Sequence, residues 1–295
     1  MIRIDEKICR ACGICGIVCP RHIPETTESN GKKRTAVSPE RAALCMDCGH
    51  CAAVCPVAAI DVDGLAVRDF APLQTLDLDA DRLLTLFRQR RSVRRYQDKP
   101  VPREVLDRIA GAAHAAPTGS GSLSTAVIII DREATMKKMM KSVYQMYGML
   151  DRVVQNPLAR QFIRFKESTA TLEVMRNFAM PGVRWYRKWY LEGKGDEIRR
   201  DCPAMLLFHG PRFEPGVVEN CTIAALHSIF MAEVLGVGSC FNSLLPPICS
   251  RSATVRKILK LEKDRDVHVC VTLGYPKFPF RRVIPRRLAE VRYLD

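Results

Sequence analysis

The 295-residue chain is 47% hydrophobic and 26% charged, too apolar for intrinsic disorder and too charged for a membrane-embedded protein; one or two globular domains are expected. Lysine and arginine outnumber aspartate and glutamate by 46 to 32, a net charge of +14. No apolar run approaches the ~18 residues of a spanning helix and the opening MIRIDEKICR lacks the apolar stretch of a secretion signal, so a cytoplasmic setting is expected and the 13 cysteines are read as ligands or buried thiols rather than disulfides.

Eight of those cysteines fall in the first 55 residues: Cys9, Cys12, Cys15, Cys19, Cys45, Cys48, Cys51 and Cys55. CRACGICGIVCP (9–20) and CMDCGHCAAVCP (45–56) both read C-x2-C-x2-C-x3-C-P, offset by 36 at every cysteine, the mark of a duplicated unit. Three thiolates at this spacing can close around one iron–sulfur cube, while the fourth, before a proline, turns toward a second. A zinc site, usually built from two Cys pairs, does not account for two runs of four. Residues 1–68 thus resemble a bacterial two-cluster ferredoxin. Cys9, Cys12, Cys15 and Cys55 are expected to hold one [4Fe–4S] cluster, and Cys45, Cys48, Cys51 and Cys19 the other. Gly13, Gly16 and Gly49 leave room for backbone to approach the sulfides, and Pro20 and Pro56 stop helix at the fourth ligand. The polar insert 24–40 reads as a surface hairpin or loop. Residues 1–68 carry a net charge of only +1, so the excess belongs to 69–295.

A linker over 69–79 leads into a helix capped by Asp79 or Asp81, with Leu83, Leu84 and Phe87 on one face. Pro102 opens a second helix that Pro117 ends. STAVIIIID (124–131) predicts a buried strand, and 133–155 and 158–179 predict helices with Met-rich faces. A strand follows at 204–210, then a helix at 221–238 rich in small residues. Strands at 239–245 and 266–276 flank a short helix at 251–261. Helices alternating with buried strands give an α+β or α/β fold with a sheet covered on both faces.

Four segments of residues 80–295 are similar, in the same order, to those of the nitroreductase family of flavin mononucleotide (FMN) enzymes: RRSVRRY (90–96), AAPTGSGS (115–122), LGVGSC (235–240) and LGYPKFPFRRVIPRR (273–287). GKGDEIRRDCPAMLLF (193–208) resembles the family's stretch before its central strand. The resemblance implies an α+β domain with a central mixed sheet covered by helices, and a homodimer with FMN at the subunit interface; the apolar helix 221–236 is the candidate dimer core. It implies that Arg90, with Arg91 beside it, and Ser92 bind the flavin phosphate. Arg94 lies near the N1/O2 edge of the ring. Arg282, with Arg281 and Arg286 as alternates, completes the phosphate site, and backbone at Thr118, Ser120, Gly238 and Ser239 faces the ring. One departure stands out: the family's Asn after its Ala-Pro-Ser loop is Gly121 here, so another group must hold the pyrimidine end of the flavin.

The charge distribution agrees. A dianionic phosphate favours the fixed donor fork of arginine, and 88–95 holds five arginines while 277–292 holds one lysine and five arginines. His209, His227 and His268 read as core or interface histidines. Cys202, Cys221, Cys240, Cys249 and Cys270 read as buried thiols. The Trp185, Tyr186, Trp189, Tyr190 cluster could stack on flavin or pack at an interface. No catalytic nucleophile or acid–base dyad is expected. The function expected is a ferredoxin-fused FMN oxidoreductase of an anaerobe, passing electrons from the clusters through FMN to a nitro, quinone or enone acceptor. Its donor would be reduced ferredoxin or NAD(P)H. One alternative is a specialised member of the family, such as a dehalogenase, a biosynthetic dehydrogenase or a flavin-fragmenting enzyme. The other is an iron–sulfur redox sensor or nucleic-acid binder, for which the +14 charge speaks but no nucleic-acid motif does.

Overall fold

The structure is a computed structural model in which residues 2–119, 124–166, 168–285 and 290–294 are described. The expected contacts Ser120 and Arg286, and the Gly121 departure, lie outside them. The chain divides into two compact units, Met1–Asp77 and Leu78–Gly119 with Ser124–Asp295.

In the first unit, strand β1 (Ile2–Ile4) pairs antiparallel with β4 (Ile60–Val62), Ile2 opposite Val62. Between them lie helix α1 (Ile14–Val18), strands β2 (Glu25–Ser29) and β3 (Lys32–Ala36), and helices α2 (Pro39–Ala42) and α3 (His50–Ala53). The polar insert is a hairpin, β2 on β3, closed by Asn30 and Gly31 with φ of 51° and 71°, as a two-residue turn between twisted strands requires. Ile2, Ile23, Ala52, Ile60 and Val62 form a small core around Cys15 and Cys51.

The 36-residue repeat persists in the backbone. Left-handed φ values recur at Ala11 and Asp47 (both 49°), at Gly13 and Gly49 (78° and 72°), and at His22 and Ala58 (48° and 52°). At Gly16 an added Cβ would stand 2.4 Å from the carbonyl oxygen of Pro24, so the chain needs glycine there for packing as well.

The second unit opens with helices α4 (Ala80–Gln89), capped by Asp79 Oδ1 on the Arg82 amide, and α5 (Arg103–Gly111). Strand β5 (Ala126–Ile130) leads to helix α6 (Glu133–Gln155), whose inner face buries Met136, Met139, Met140, Val143, Tyr144 and Tyr147. Helices α7 (Pro157–Lys166), α8 (Thr169–Val174) and α9 (Met180–Leu191) follow. The sequence led to one helix ending at 179. Instead a wide π turn at Met175–Ala179 joins α8 to α9. Pro181 lacks the amide that would bond four residues back, and the widened turn absorbs the loss, so the helix runs on to Leu191.

Strand β6 (Ala204–Pro211), helix α10 (Val217–Val234), strand β7 (Gly238–Phe241), helices α11 (Leu245–Arg251) and α12 (Ala253–Leu259) and strand β8 (Arg265–Gly274) complete the unit. The sheet order is β5-β6-β8-β7, with every ladder antiparallel. The parallel element that makes it mixed is the pairing of Ser92 with Ser239 of β7. Both faces of β6 are buried: Met205 and Leu207 pack with α6, α11 and α12, and Leu206 and Phe208 with α5 and α10. Hence the continuous apolar run read from the sequence.

By length and composition α10, with a mean hydropathy of 1.3 over 18 residues, could cross a membrane. Here Cys221, Ala224, Ala225, Ile229 and Ala232 bury one side of it against the sheet, while Val218, Leu226 and Val234 stay exposed on another. The five scattered cysteines are all buried. In the aromatic cluster Tyr190 stacks on the buried Tyr144 (4.0 Å) and Trp185, itself exposed, on Trp189 (4.9 Å).

The last residue of β8 explains part of the Leu-Gly-Tyr-Pro segment. A Cβ on Gly274 would stand 2.6 Å from Pro203 Cδ and 2.8 Å from Tyr96 Cδ1. Gly274→Ala is therefore expected to destabilise this unit by about 1–3 kcal/mol through overpacking, seen as a lowered denaturation midpoint.

Candidate functional site

Two sets of residues carry the chemistry. In the first unit, backbone amides donate to four thiol sulfurs, and these bonds obey the repeat: Ala11 N to Cys9 Sγ (3.4 Å) mirrors Asp47 N to Cys45 Sγ (3.4 Å), and Ile23 N to Cys19 Sγ (3.4 Å) mirrors Ala59 N to Cys55 Sγ (3.3 Å). Such donors stabilise a thiolate and tune a bound cluster. Cys19 lines one small cavity together with Cys45, Cys48 and Cys51, the combination expected from the spacing. Burial, with Cys48, Cys45 and Cys19 adding to it, pushes the Cys51 thiol up to about 11. Four thiols lining one cavity suit a cube of several irons rather than a single ion. Among the described residues no three His, Cys, Asp or Glu side chains converge on a single-ion site. This donor set fits clusters better than zinc.

In the second unit, the segment after α4 lies extended along the sheet. Val93 N donates to Ser239 O (2.9 Å), Gln97 N to Tyr275 O (2.8 Å) and Lys277 N to Arg95 O (3.0 Å). The Tyr96 hydroxyl donates to Val93 O (2.8 Å) and shares a 2.8 Å bond with Thr272 Oγ1. Gly238 permits this contact, since a Cβ there would stand 2.6 Å from Val93 Cγ2.

The result is a cavity of about 410 Å³ where Arg91, Val93 and Gly238 meet Glu233 from the last turn of α10 and Arg281 and Arg282 from the chain's end. An extended chain alternates sides, so Arg91 and Val93 face this cavity while Ser92 and Arg94 face away from it. Arg90 does not line it, but its charge and that of Arg91 act on Glu233. Arg91 is buried; its Nη1 donates to Arg90 O (2.8 Å) and its Nη2 to Ile284 O (3.4 Å), while its Nε has no partner among the described residues. Ser239 Oγ is likewise buried without a partner. Arg95 is committed elsewhere, in a two-pronged pair with the buried Glu197 (3.0 and 2.8 Å). The cavity thus lies on the face of the segment opposite to Ser92 and Arg94; by the same alternation Arg90, Ser92 and Arg94 share one face, and their donor chemistry fits a phosphate-bearing flavin.

The Thr118 loop is not part of this cavity. Gly119 N donates to Asn220 Oδ1 (2.8 Å) in the first turn of α10, whereas Gly238 follows the helix's far end. At ~1.5 Å per residue these points lie about 20 Å apart. The expected flavin contacts thus form two half-sites at opposite ends of one helix. Sequence reasoning missed Glu233 and Asn220. Their helical positions relative to the two half-sites emerge only once α10 is placed.

A duplicated four-cysteine unit joined to this arginine-lined α+β fold defines an iron–sulfur oxidoreductase of flavoprotein type. The sequence profile of the 4Fe-4S dicluster domain matches residues 8–59, and that of the nitroreductase family matches residues 87–275. The chain belongs to the nitroreductase family of FMN-dependent oxidoreductases, with a domain for two [4Fe–4S] clusters fused ahead of it. Among solved structures it is similar in fold to a nitroreductase with bound FMN from Bacteroides fragilis NCTC 9343 (17% identity, TM-score 0.51, covering 72% of this chain and 98% of that one). It is also similar to an FMN- and NADPH-dependent nitroreductase from Sphigopyxis sp. strain HMH (21%, 0.50, 72% and 96%). A nitroreductase with bound FMN from Desulfitobacterium hafniense DCB-2 is a third (17%, 0.50, 71% and 97%). No curated protein matches it.

Arg90→Ala is expected to weaken FMN binding roughly 10- to 100-fold, the loss of a charge-assisted hydrogen bond. Riboflavin, which lacks the phosphate, should bind both proteins alike in a fluorescence-quenching titration.

Proposed function

We propose that this protein accepts electrons singly through the clusters of its first 68 residues and delivers them in pairs, at FMN held by residues 80–295, to an electron-poor small molecule of the nitro, quinone or enone class. The clusters supply one-electron chemistry and FMN supplies both one- and two-electron chemistry. The single observation that carries the reading is a nitroreductase-family domain that follows a duplicated cluster-binding unit on one chain. Cys9, Cys12, Cys15 and Cys55 hold one cluster, and Cys45, Cys48, Cys51 and Cys19 the other. Arg90 and Ser92 hold the phosphate, with Arg282 completing that end from the last segment of the chain. Arg94 sets positive charge at the N1/O2 edge of the ring, where negative charge grows on reduction. Backbone at Thr118, Gly238 and Ser239 faces the ring. Reduced ferredoxin or NAD(P)H is the donor.

A homodimer is part of this proposal. One chain holds its two half-sites about 20 Å apart along α10, so a second chain supplies the missing half. The exposed Val218, Leu226 and Val234 give α10 an apolar side to bury against that partner.

Two outcomes are expected. Val234→Glu should convert the dimer to monomers that have lost FMN, read by light scattering and flavin absorbance. In anaerobic stopped-flow mixing, reduced ferredoxin should reduce the clusters before the flavin. Flavin reduction by NADH alone, with the clusters lagging, would reverse the proposed direction of flow.

A further inference from the structure

Helix α6 carries Gly148 in its interior, where glycine makes a helix less stable than alanine would. The space of the missing side chain is taken by the guanidinium of Arg187, from α9. A Cβ on Gly148 would stand 2.8 Å from Arg187 Nε and 3.1 Å from its Cζ. The helix thus gives up stability to seat an arginine, yet among the described residues Arg187 has no hydrogen bond or ion pair. Arg152, one turn further along α6, donates from Nε to the carbonyl of the same glycine (3.4 Å), and its outer N–H groups are uncommitted among the described residues. Both arginines line a groove of about 790 Å³ between α6 and α9. Its two carboxylates are already engaged, Asp151 with Arg184 (2.8 Å) and Glu192 with Lys194 (2.8 Å) and Lys188 (3.9 Å). Arg152, Arg184, Arg187 and Lys188 against Asp151 and Glu192 leave the lining at +2. The groove also lies in the most basic stretch of the chain: residues 133–194 hold twelve Lys/Arg and five Asp/Glu, half of the net +14.

We propose that the groove between α6 and α9 is a binding site for a dianionic phosphate, free or as a phosphate monoester, whose oxygens are forked by Arg187 and Arg152. The site is separate from the flavin and the clusters, because none of the residues assigned to them lines this groove. A planar guanidinium matches two oxygens of one phosphate at once. Above pH ~6 a phosphate monoester carries close to two negative charges on one compact group, which offsets the +2 lining. A single carboxylate would offset only one of the two uncommitted arginines gathered at Gly148. Val183 and Leu191, which also line the groove, give an organic body an apolar surface to rest on. Arg152 and Arg187 are exposed, so the attraction is screened by salt. No bond is made or broken in this binding.

The test uses the full-length protein with FMN and both clusters in place, so that the flavin-phosphate site is filled. AMP, inorganic phosphate and adenosine are titrated by calorimetry at low salt and about pH 8, above the second phosphate ionisation. The proteins are wild type, Arg187→Ala, Arg187→Lys and Gly148→Ala. Wild type should bind AMP and inorganic phosphate but not adenosine, and more weakly as salt is added. Arg187→Ala should weaken both anions about tenfold, and Arg187→Lys should recover little, because an ammonium lacks the fork. In Gly148→Ala the new methyl displaces the guanidinium, so AMP should again bind about tenfold more weakly. Its denaturation midpoint should nevertheless hold or rise, since alanine favours the helix. Tighter binding of AMP than of inorganic phosphate assigns the site to an organic ester, and equal binding assigns it to the free ion; either supports the site. Wild type that binds AMP no better than adenosine would overturn the proposal, as would unchanged AMP affinity in both Arg187→Ala and Gly148→Ala. If Gly148→Ala fails to fold, Arg187→Ala, at an exposed position, decides the matter alone.

Discussion

The arrangement of the flavin-binding half depends on how tightly the segment at residues 91–97 lies against the end of the sheet. Val93 bonds to Ser239, Gln97 to Tyr275, and Lys277 back to Arg95, while the buried Tyr96 hydroxyl bridges the segment to Thr272. These contacts need the missing side chains of Gly238 and Gly274, because a Cβ at either would overlap Val93 or Tyr96. Arg91 and the Arg281–Arg282 pair, nearly two hundred residues apart in the chain, reach one cavity because this seam holds both ends. The glycines in the two Leu-Gly segments are spacers that let basic side chains converge. They do not serve as flexible hinges.

The cluster-binding unit reaches a comparable result by duplication. Four kinds of local feature repeat at an offset of 36: the cysteines, the left-handed residues before each short helix, the amide-to-sulfur bonds within each run, and those to each fourth cysteine. A left-handed turn directs amides toward a sulfur only if the backbone repeats as faithfully as the ligands do. The small core of Ile2, Ile23, Ile60 and Val62 gives these turns a common support that a unit of this size would otherwise lack.

Helix α10 has two roles, and they account for its unusual composition. It packs small residues against the sheet and presents Val218, Leu226 and Val234 outward, so it is apolar on more than one side. At one end Asn220 holds the Thr118 loop through Gly119; near the other, Glu233 enters the arginine cavity. Its length keeps the half-sites apart, which makes a second subunit part of the proposed site rather than an accessory to it.

The dicluster domain was legible in the sequence because iron–sulfur ligation is local: three of the four expected ligands of each cluster lie within seven residues, and spacing encodes them. The α+β class, the buried strands and helix α6 were legible for a similar reason, since periodicity reports burial over a short window. The single helix expected over 158–179 was not, because the π turn before Pro181 depends on what packs around it. Nor could the sequence say which arginine of RRSVRRY turns inward. The strand-like pairing of Ser92 with Ser239 decides that, and it selects Arg91 and Val93 for the cavity by simple alternation. Likewise, Glu233 is one acidic residue among 32 until α10 is docked on its sheet. Local spacing therefore determined the metal chemistry and the fold class. The tertiary structure alone decided which charges share the arginine-lined cavity, because those charges come from segments that only packing brings together.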